Sequence, residues 1–305
     1  MNTDWVTALY FRGERLINNP NGLNINGMEN KMNQYRLYGL STIHVELTNR
    51  CNKECWMCGR RMVERDFPHV AMNYGDIEFS LLEMIARQLP PNIVVQLHNN
   101  GEPLLYPRLY EAIDLFKGQI TSFDTNGKLL LEKADQIIGK LDTMAISVIE
   151  NDPESDEQYE IISKFFETKA DAKPHVVLRL NGNIDSCKYE KFGTTIAKRV
   201  LHDPMGSYGY KKKQPTVPEI GICLDFLHHM AINKDGEVSI CVRFDPERTG
   251  VIGNANTQSL ADIWCGQKRI TWLNYHKQGK RVFVPLCSHC EFWGVPTGAD
   301  LESTV

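Results

Sequence analysis

The stretch Ile43-His44-Val45-Glu46-Leu47-Thr48-Asn49-Arg50-Cys51-Asn52-Lys53-Glu54-Cys55-Trp56-Met57-Cys58 decides how this chain folds. Its first five residues alternate apolar and polar side chains, the pattern of a strand with one face in a core. Three cysteines follow at once, spaced C-x3-C-x2-C. Three thiolates on one short loop hold three irons of a cubane cluster and leave the fourth iron open; four thiolates would close the site. Zinc is the alternative metal, with His44 or His69 as a fourth ligand, but zinc loops favour C-x2-4-C pairs.

Outward from this loop, β-type runs alternate with helical patterns. Leu81, Leu82, Met84, Ile85 and Leu89 form a helical apolar face stopped by Pro90-Pro91. Ile93–Leu97 is a strand, Leu109, Ala112, Ile113 and Phe116 mark a helix, and Ile120–Phe123 and Met144–Ile149 are further strands. Ser155 with Gln158 makes a capping-box pattern ahead of Tyr159, Ile162, Phe165 and Phe166. His175–Leu180 reads as a strand, and a helix is predicted from about Lys188 to Leu201. Strands alternating with helices imply βα units and a parallel sheet or barrel, whose chemistry gathers at the C-terminal ends of the strands. The cysteine loop lies just past such an end.

The pattern breaks at 203–218, rich in Gly, Pro and Lys, which reads as a linker. Beyond it, Met230–Asn233 and Glu237–Ile240 flank Lys234-Asp235-Gly236, a hairpin signal. Ser259 with Asp262 is the pattern of a helix cap.

Composition limits the function classes. The chain has 305 residues, 42% hydrophobic and 24% charged, with net charge −4 and nine cysteines. That is enough for a large domain plus a small one. The mild acidity predicts no nucleic-acid partner, and Lys211-Lys212-Lys213 reads as part of the solvated linker. No apolar run is long enough to cross a membrane, and the first twenty residues lack a secretion signal, so a cytoplasmic protein is expected. Clustered cysteines in a reducing compartment bind metal more often than they form disulfides.

The loop resembles the cluster loop of the radical S-adenosylmethionine (SAM) enzymes, which follows the first strand of a partial (β/α)6 TIM-like barrel. By that resemblance Cys51, Cys55 and Cys58 bind a [4Fe–4S] cluster, SAM chelates its open iron, and reductive cleavage of SAM yields a 5′-deoxyadenosyl radical that abstracts a substrate hydrogen. Met57 stands where the family usually has an aromatic residue before the third cysteine. Asn100-Gly101-Glu102 resembles the family's GGE motif, with Asn100 in place of the first glycine. Thr125-Asn126-Gly127 resembles its TNG segment, and Ser147 matches a position that often contacts SAM. The resemblance therefore implies SAM contacts from Met57, Asn100, Gly101, Glu102, Asn126 and Ser147, although Gly-Glu-Pro and Asn-Gly also make ordinary turns. It covers about residues 43–201.

Cys223, Cys241, Cys287 and Cys290 form a second group: two cysteines bracket the hairpin and two sit in a C-x2-C knuckle. Chemistry alone leaves zinc and iron–sulfur open here. The C-x12-G-x4-C start, Gly253-Asn254 and Ser259-Leu260 with Ile263-Trp264 resemble the C-terminal SPASM/Twitch extension of radical SAM enzymes. With four cysteines rather than seven, this looks like the short Twitch form carrying one auxiliary [4Fe–4S] cluster. The expected architecture is an N-terminal extension (1–40), a radical SAM core (41–205), a linker (206–218) and a hairpin-plus-helix auxiliary-cluster domain (219–305).

Cys187 and Cys265 are left over. Inert thiols are the plain reading; Cys265, beside Trp264, is the candidate hydrogen donor if the enzyme were an epimerase. A closed auxiliary cluster suits removal of an electron from substrate, so the leading expectation is oxidation of a sugar- or cyclitol-like small molecule. A flavodoxin- or ferredoxin-type protein would be the electron donor. Modification of a ribosomal peptide is close behind, although no leader-peptide-binding segment is evident at the N-terminus. A non-catalytic zinc-binding protein is the reading from another class.

Overall fold

A computed structural model describes residues 34, 36–199, 222–288 and 290. Nine strands form one sheet in the order β6-β5-β4-β3-β2-β1-β7-β8-β9. They are β1 (Thr42–Val45), β2 (Val94–Gln96), β3 (Ile120–Thr125), β4 (Thr143–Ile149), β5 (His175–Asn181), β6 (Thr195–Arg199), β7 (His229–Ile232), β8 (Glu237–Ser239) and β9 (Val251–Asn254). β1 to β6 run parallel, as a partial βα barrel requires. β7 continues the parallel array on the other side of β1, with Thr42 opposite His229 and Val45 opposite Ile232. β8 and β9 then pair antiparallel. The C-terminal segment thus enters the main sheet along the open edge of β1.

The two faces of the sheet differ. Ile43, Val45, Val95, Leu97, Phe123, Ile146, Val148, Leu178 and Leu180 are all buried, at 2% exposure or less, and form the core beneath the helices. Each such side chain contributes roughly 1.5–3 kcal/mol on burial. The alternate positions turn inward and are mostly polar: Thr42, His44, Gln96, His98, Asp124, Ser147, Arg179 and Arg199 line a cavity.

The covering helices are α1 (Gly59–Asp66), α2 (Phe79–Gln88), α3 (Leu109–Leu115), α4 (Ala134–Ile137) and α5 (Ser155–Lys169), with a short α6 (Cys187–Glu190). α2 buries Leu81, Leu82 and Ile85 and ends at Leu89, just before the two prolines. In the C-terminal part, α7 (Leu224–His228), α8 (Leu260–Trp264), α9 (Gln267–Lys277) and α10 (Pro285–Ser288) surround a second small core of Phe226, Ile240, Trp272, Val284, Leu286 and Cys287.

Two local expectations need correction. The helix expected over Lys188–Leu201 is only α6, and Thr195–Arg199 is the sixth strand. Gly193, at φ +59°, breaks the helix, and five residues find partners along β5; tertiary pairing overrides the local pattern. The Ser155/Gln158 capping box does not form, because Ser155 is already helical and its side chain caps nothing. Gln158 is 2% exposed, and its Nε2 donates to the carbonyls of Asn126 (2.7 Å) and Ser147 (2.9 Å). The Ser259 cap does form, with its hydroxyl accepting the Asp262 N–H at 3.1 Å. The expected linker at 206–218 lies outside the described residues.

Candidate active site

The first cysteine loop runs from the end of β1 to α1, and its surroundings fix its shape. Lys53, 3% exposed, reaches Asp152 at 2.5 Å and Glu154 at 3.3 Å in the loop after β4. The Trp56 indole donates to the Glu150 carbonyl at 2.9 Å. Asn126 Nδ2 donates to Asn52 at 2.8 Å and approaches Cys51 Sγ at 3.8 Å. Burial and the nearby Cys58 and Cys51 push the Cys55 thiol up to about 12. Thiols crowded this way favour a cation between them, which would convert them to thiolates.

The Asn100-Gly101-Glu102 turn supports this loop. Asn100 donates to Glu46 Oε1 from its backbone (3.1 Å) and its side chain (3.0 Å). Gly101 packs so tightly that a Cβ would lie 2.1 Å from the Thr48 carbonyl oxygen. Glu102, 2% exposed, accepts from Thr125 Oγ1 (2.7 Å) and Leu104 N (3.1 Å) on one oxygen and from Asn126 N (2.7 Å) on the other. Its carboxylate therefore positions the Thr125-Asn126-Gly127 turn from beneath. Met57, Asn100 and Ser147 line the cavity, whereas Gly101, Glu102 and Asn126 do not.

The cavity holds about 570 Å³ and opens between Cys55 and Cys58 on one side and Val242, Arg243 and Phe244 on another. Three imidazoles line it: His44 lies 6.0 Å from His98 and 5.9 Å from His229, centroid to centroid. Burial holds His44 well below the ordinary histidine range, and burial with the Arg179 charge pulls His98 down to about 3, so both are neutral at pH 7. His98 Nδ1 accepts the Asp124 N–H at 3.0 Å, which assigns the ring proton to Nε2. Asp124 also pairs with Arg179. Burial and the charge of Arg199 bring the Arg179 guanidinium down to about 9. Sequence reading missed His98, Asp124, Arg179, Arg199, Arg243 and His229. The available signal was parity, since most occupy the polar alternate positions of strands recognised for their apolar ones.

The second cysteine group assembles around the hairpin. Burial, then the neighbouring thiols Cys241, Cys290 and Cys223, raise Cys287, and burial pushes Cys241 up to about 12. Arg281 caps the knuckle by donating to the Cys290 carbonyl at 2.9 Å. Among the described residues, no three His, Cys, Asp or Glu side chains converge as one metal ion requires. A cubane distributes its thiolates over separate irons and has no such need. Cys265 is exposed, with its thiol on the Arg36 carbonyl at 3.4 Å, and Cys187 is also exposed; neither lines the cavity.

Residues 223–291 match the SPASM family, an iron–sulfur cluster-binding domain. Over 269 residues the chain is 24% identical to the S-adenosyl-L-methionine-dependent 2-deoxy-scyllo-inosamine dehydrogenase of Niallia circulans, spanning 84% of this chain and 95% of that protein. The chain is thus similar over most of its length to a SAM-dependent enzyme, and its C-terminal segment matches an iron–sulfur cluster-binding family. The fold superposes on BtrN in complex with AdoMet and 2-DOIA with a TM-score of 0.53 at 18% identity, covering 82% of this chain and 92% of BtrN. It also superposes on SuiB from Streptococcus suis bound to S-adenosylmethionine, with a TM-score of 0.54 at 14% identity over 83% and 72% of the two chains.

Proposed function

We propose that this chain is a radical SAM enzyme that oxidises a secondary alcohol of a sugar- or cyclitol-like molecule to a ketone. The observation that carries the reading is the three-thiol loop at the end of β1 opening onto a polar cavity, whose opposite wall includes Val242 and Arg243, next in sequence to Cys241. Cys51, Cys55 and Cys58 would hold the SAM-binding [4Fe–4S] cluster, and Cys223, Cys241, Cys287 and Cys290 the auxiliary one. When bound, these groups supply a hydrogen-abstracting radical from SAM and an outlet for one electron.

The residues themselves do the rest. Met57, Asn100 and Ser147 would contact SAM from the cavity wall, while Gly101, Glu102 and Asn126 hold the loops that present it. His44, Gln96 and His98 offer neutral donors and acceptors to hydroxyl groups. A carbinol becomes a carbonyl by losing a hydrogen atom, a proton and an electron. Asp124 is the one carboxylate among the residues lining the cavity, and it takes the hydroxyl proton. The exposed positions of Cys187 and Cys265 favour this outcome over return of a hydrogen to the same carbon. An acidic flavodoxin- or ferredoxin-type donor in the cytoplasm would supply the reducing electron.

Anaerobic reconstitution tests the reading. About eight irons per chain and SAM cleavage abolished by Cys51→Ala are expected; zinc without sulfide would overturn it. Asp124→Asn should cut ketone formation about 100-fold or more while SAM is still cleaved. Undiminished ketone formation would remove Asp124 from the chemistry.

A further inference from the structure

The cavity is more cationic than oxidation of a neutral polyol needs. Arg179, Arg199 and Arg243 line it against one carboxylate, Asp124. Arg243 stands two residues from Cys241 and answers to that thiol group. Arg179 and Arg199 do not. They lie on neighbouring strands and on the same face, because Arg179 pairs with Ala197 and Asn181 with Arg199. Strand spacing and rise put their Cα atoms about 8 Å apart, close enough for both guanidiniums to meet on one ligand group. Arg179 gives an Nη1 to Asp124 but keeps a buried Nε without a partner. Arg199 has no carboxylate partner among the described residues. Gln96 Oε1 and Asn99 Oδ1, also on this wall, are likewise buried and unpartnered. Buried polar atoms left open on one wall mark where a ligand completes the hydrogen bonding.

SAM does not balance this charge. Its one carboxylate comes with an ammonium and a sulfonium. The negative charge of a three-thiolate cluster would offset only that excess, leaving the arginines unbalanced. We infer that the substrate carries an oxyanion, a phosphate or a carboxylate, which Arg179 and Arg199 clamp beside the carbon to be oxidised. Planar guanidiniums match such groups with paired hydrogen bonds, and an amine would meet like charge here. The substrate would then differ in charge from that of the Niallia circulans relative, which by its name is an inosamine. This inference rests on the reading above, that a small molecule is oxidised in this cavity.

The test uses the reconstituted full chain and four probes: myo-inositol 1-phosphate, D-glucuronate, myo-inositol and scyllo-inosamine. Calorimetry with SAM present measures binding, and 5′-deoxyadenosine above the substrate-free rate measures coupling. Tighter binding of at least one anionic probe than of myo-inositol and scyllo-inosamine is expected; comparing the phosphate with the carboxylate tells which oxyanion is meant. Arg199→Gln should weaken anion binding about 10- to 100-fold, the range for hydrogen bonds to charged groups, and Arg199→Lys should restore part of it. A preference for the neutral or amine probe overturns the proposal. So does an equal loss of SAM affinity in Arg199→Gln, which would assign the guanidinium to the SAM carboxylate. Anion binding that depends on Arg199 without any SAM cleavage would instead sink the oxidation reading and leave the anion site standing.

Discussion

Replacing Lys53 with methionine tests how the first cysteine loop is held. Lys53 and Asp152 are 3% and 6% exposed and 2.5 Å apart, with Glu154 3.3 Å from the same ammonium. Burial pulls the Lys53 pKa down, and the Asp152 hydrogen bond more than restores it, so the ammonium stays charged. Lys53→Met leaves the Asp152 carboxylate buried without its cation, at a cost of about 3–5 kcal/mol. That is between two and four orders of magnitude in the folding equilibrium. Anaerobic urea unfolding of the reconstituted chain measures it, with the slope compared between variants to check that the unfolded state is unchanged. In Lys53→Met/Asp152→Leu no charge is stranded, and most of the loss should return. A single-variant loss below about 1 kcal/mol, the worth of an exposed pair, would refute the reasoning.

Two further outcomes follow from the same site. Gly101→Ala places a Cβ 2.1 Å from the Thr48 carbonyl and 2.8 Å from that of Arg50, both backbone atoms that cannot swing away. It should cost about 3 kcal/mol or more and lower bound iron; a urea midpoint and iron content matching the parent would show that the turn has room. Acid should destabilise the fold between pH 6.5 and 3, because the unfolded chain takes up protons on His98 and His44 that the folded chain refuses. The shift at His98 corresponds to roughly 4–5 kcal/mol across that window at full burial. His98→Gln should flatten the dependence of stability on pH there, and an unchanged slope would mean that His98 is protonated in place.

The barrel and both thiol groups were legible because each leaves a local signature: β-branched runs, helical spacing and cysteine intervals. Asn100, Met57 and Ser147 were found by motif order and do reach the cavity wall. The cavity's charge was not legible. Arg179 read as the polar half of an ordinary amphipathic strand, and Arg199 as part of the helix expected over Lys188–Leu201. Only the curl of the sheet tells an inward polar residue from a solvated one. Gln158 misled for a related reason. Its spacing from Ser155 satisfied a local rule, while its amide was committed to the Asn126 and Ser147 carbonyls across the barrel. The misassigned sixth strand shows the same limit, since an edge strand of five residues owes its state to the neighbour it pairs with.

The pairing of β7 with β1 bears on how such an enzyme can be taken apart. The strand that leads into the first cysteine loop is hydrogen-bonded along its edge to the strand that begins the second thiol group's hairpin. Removing the C-terminal segment would bare a row of unpaired amides and carbonyls on β1 and invite aggregation through that edge. A truncated chain therefore tests solubility before it tests electron transfer. An exchange of auxiliary domains between relatives has to carry the β1 sequence along with the graft. The two thiol groups flank one shared ladder, so a shift of the β1–β7 register would move one relative to the other.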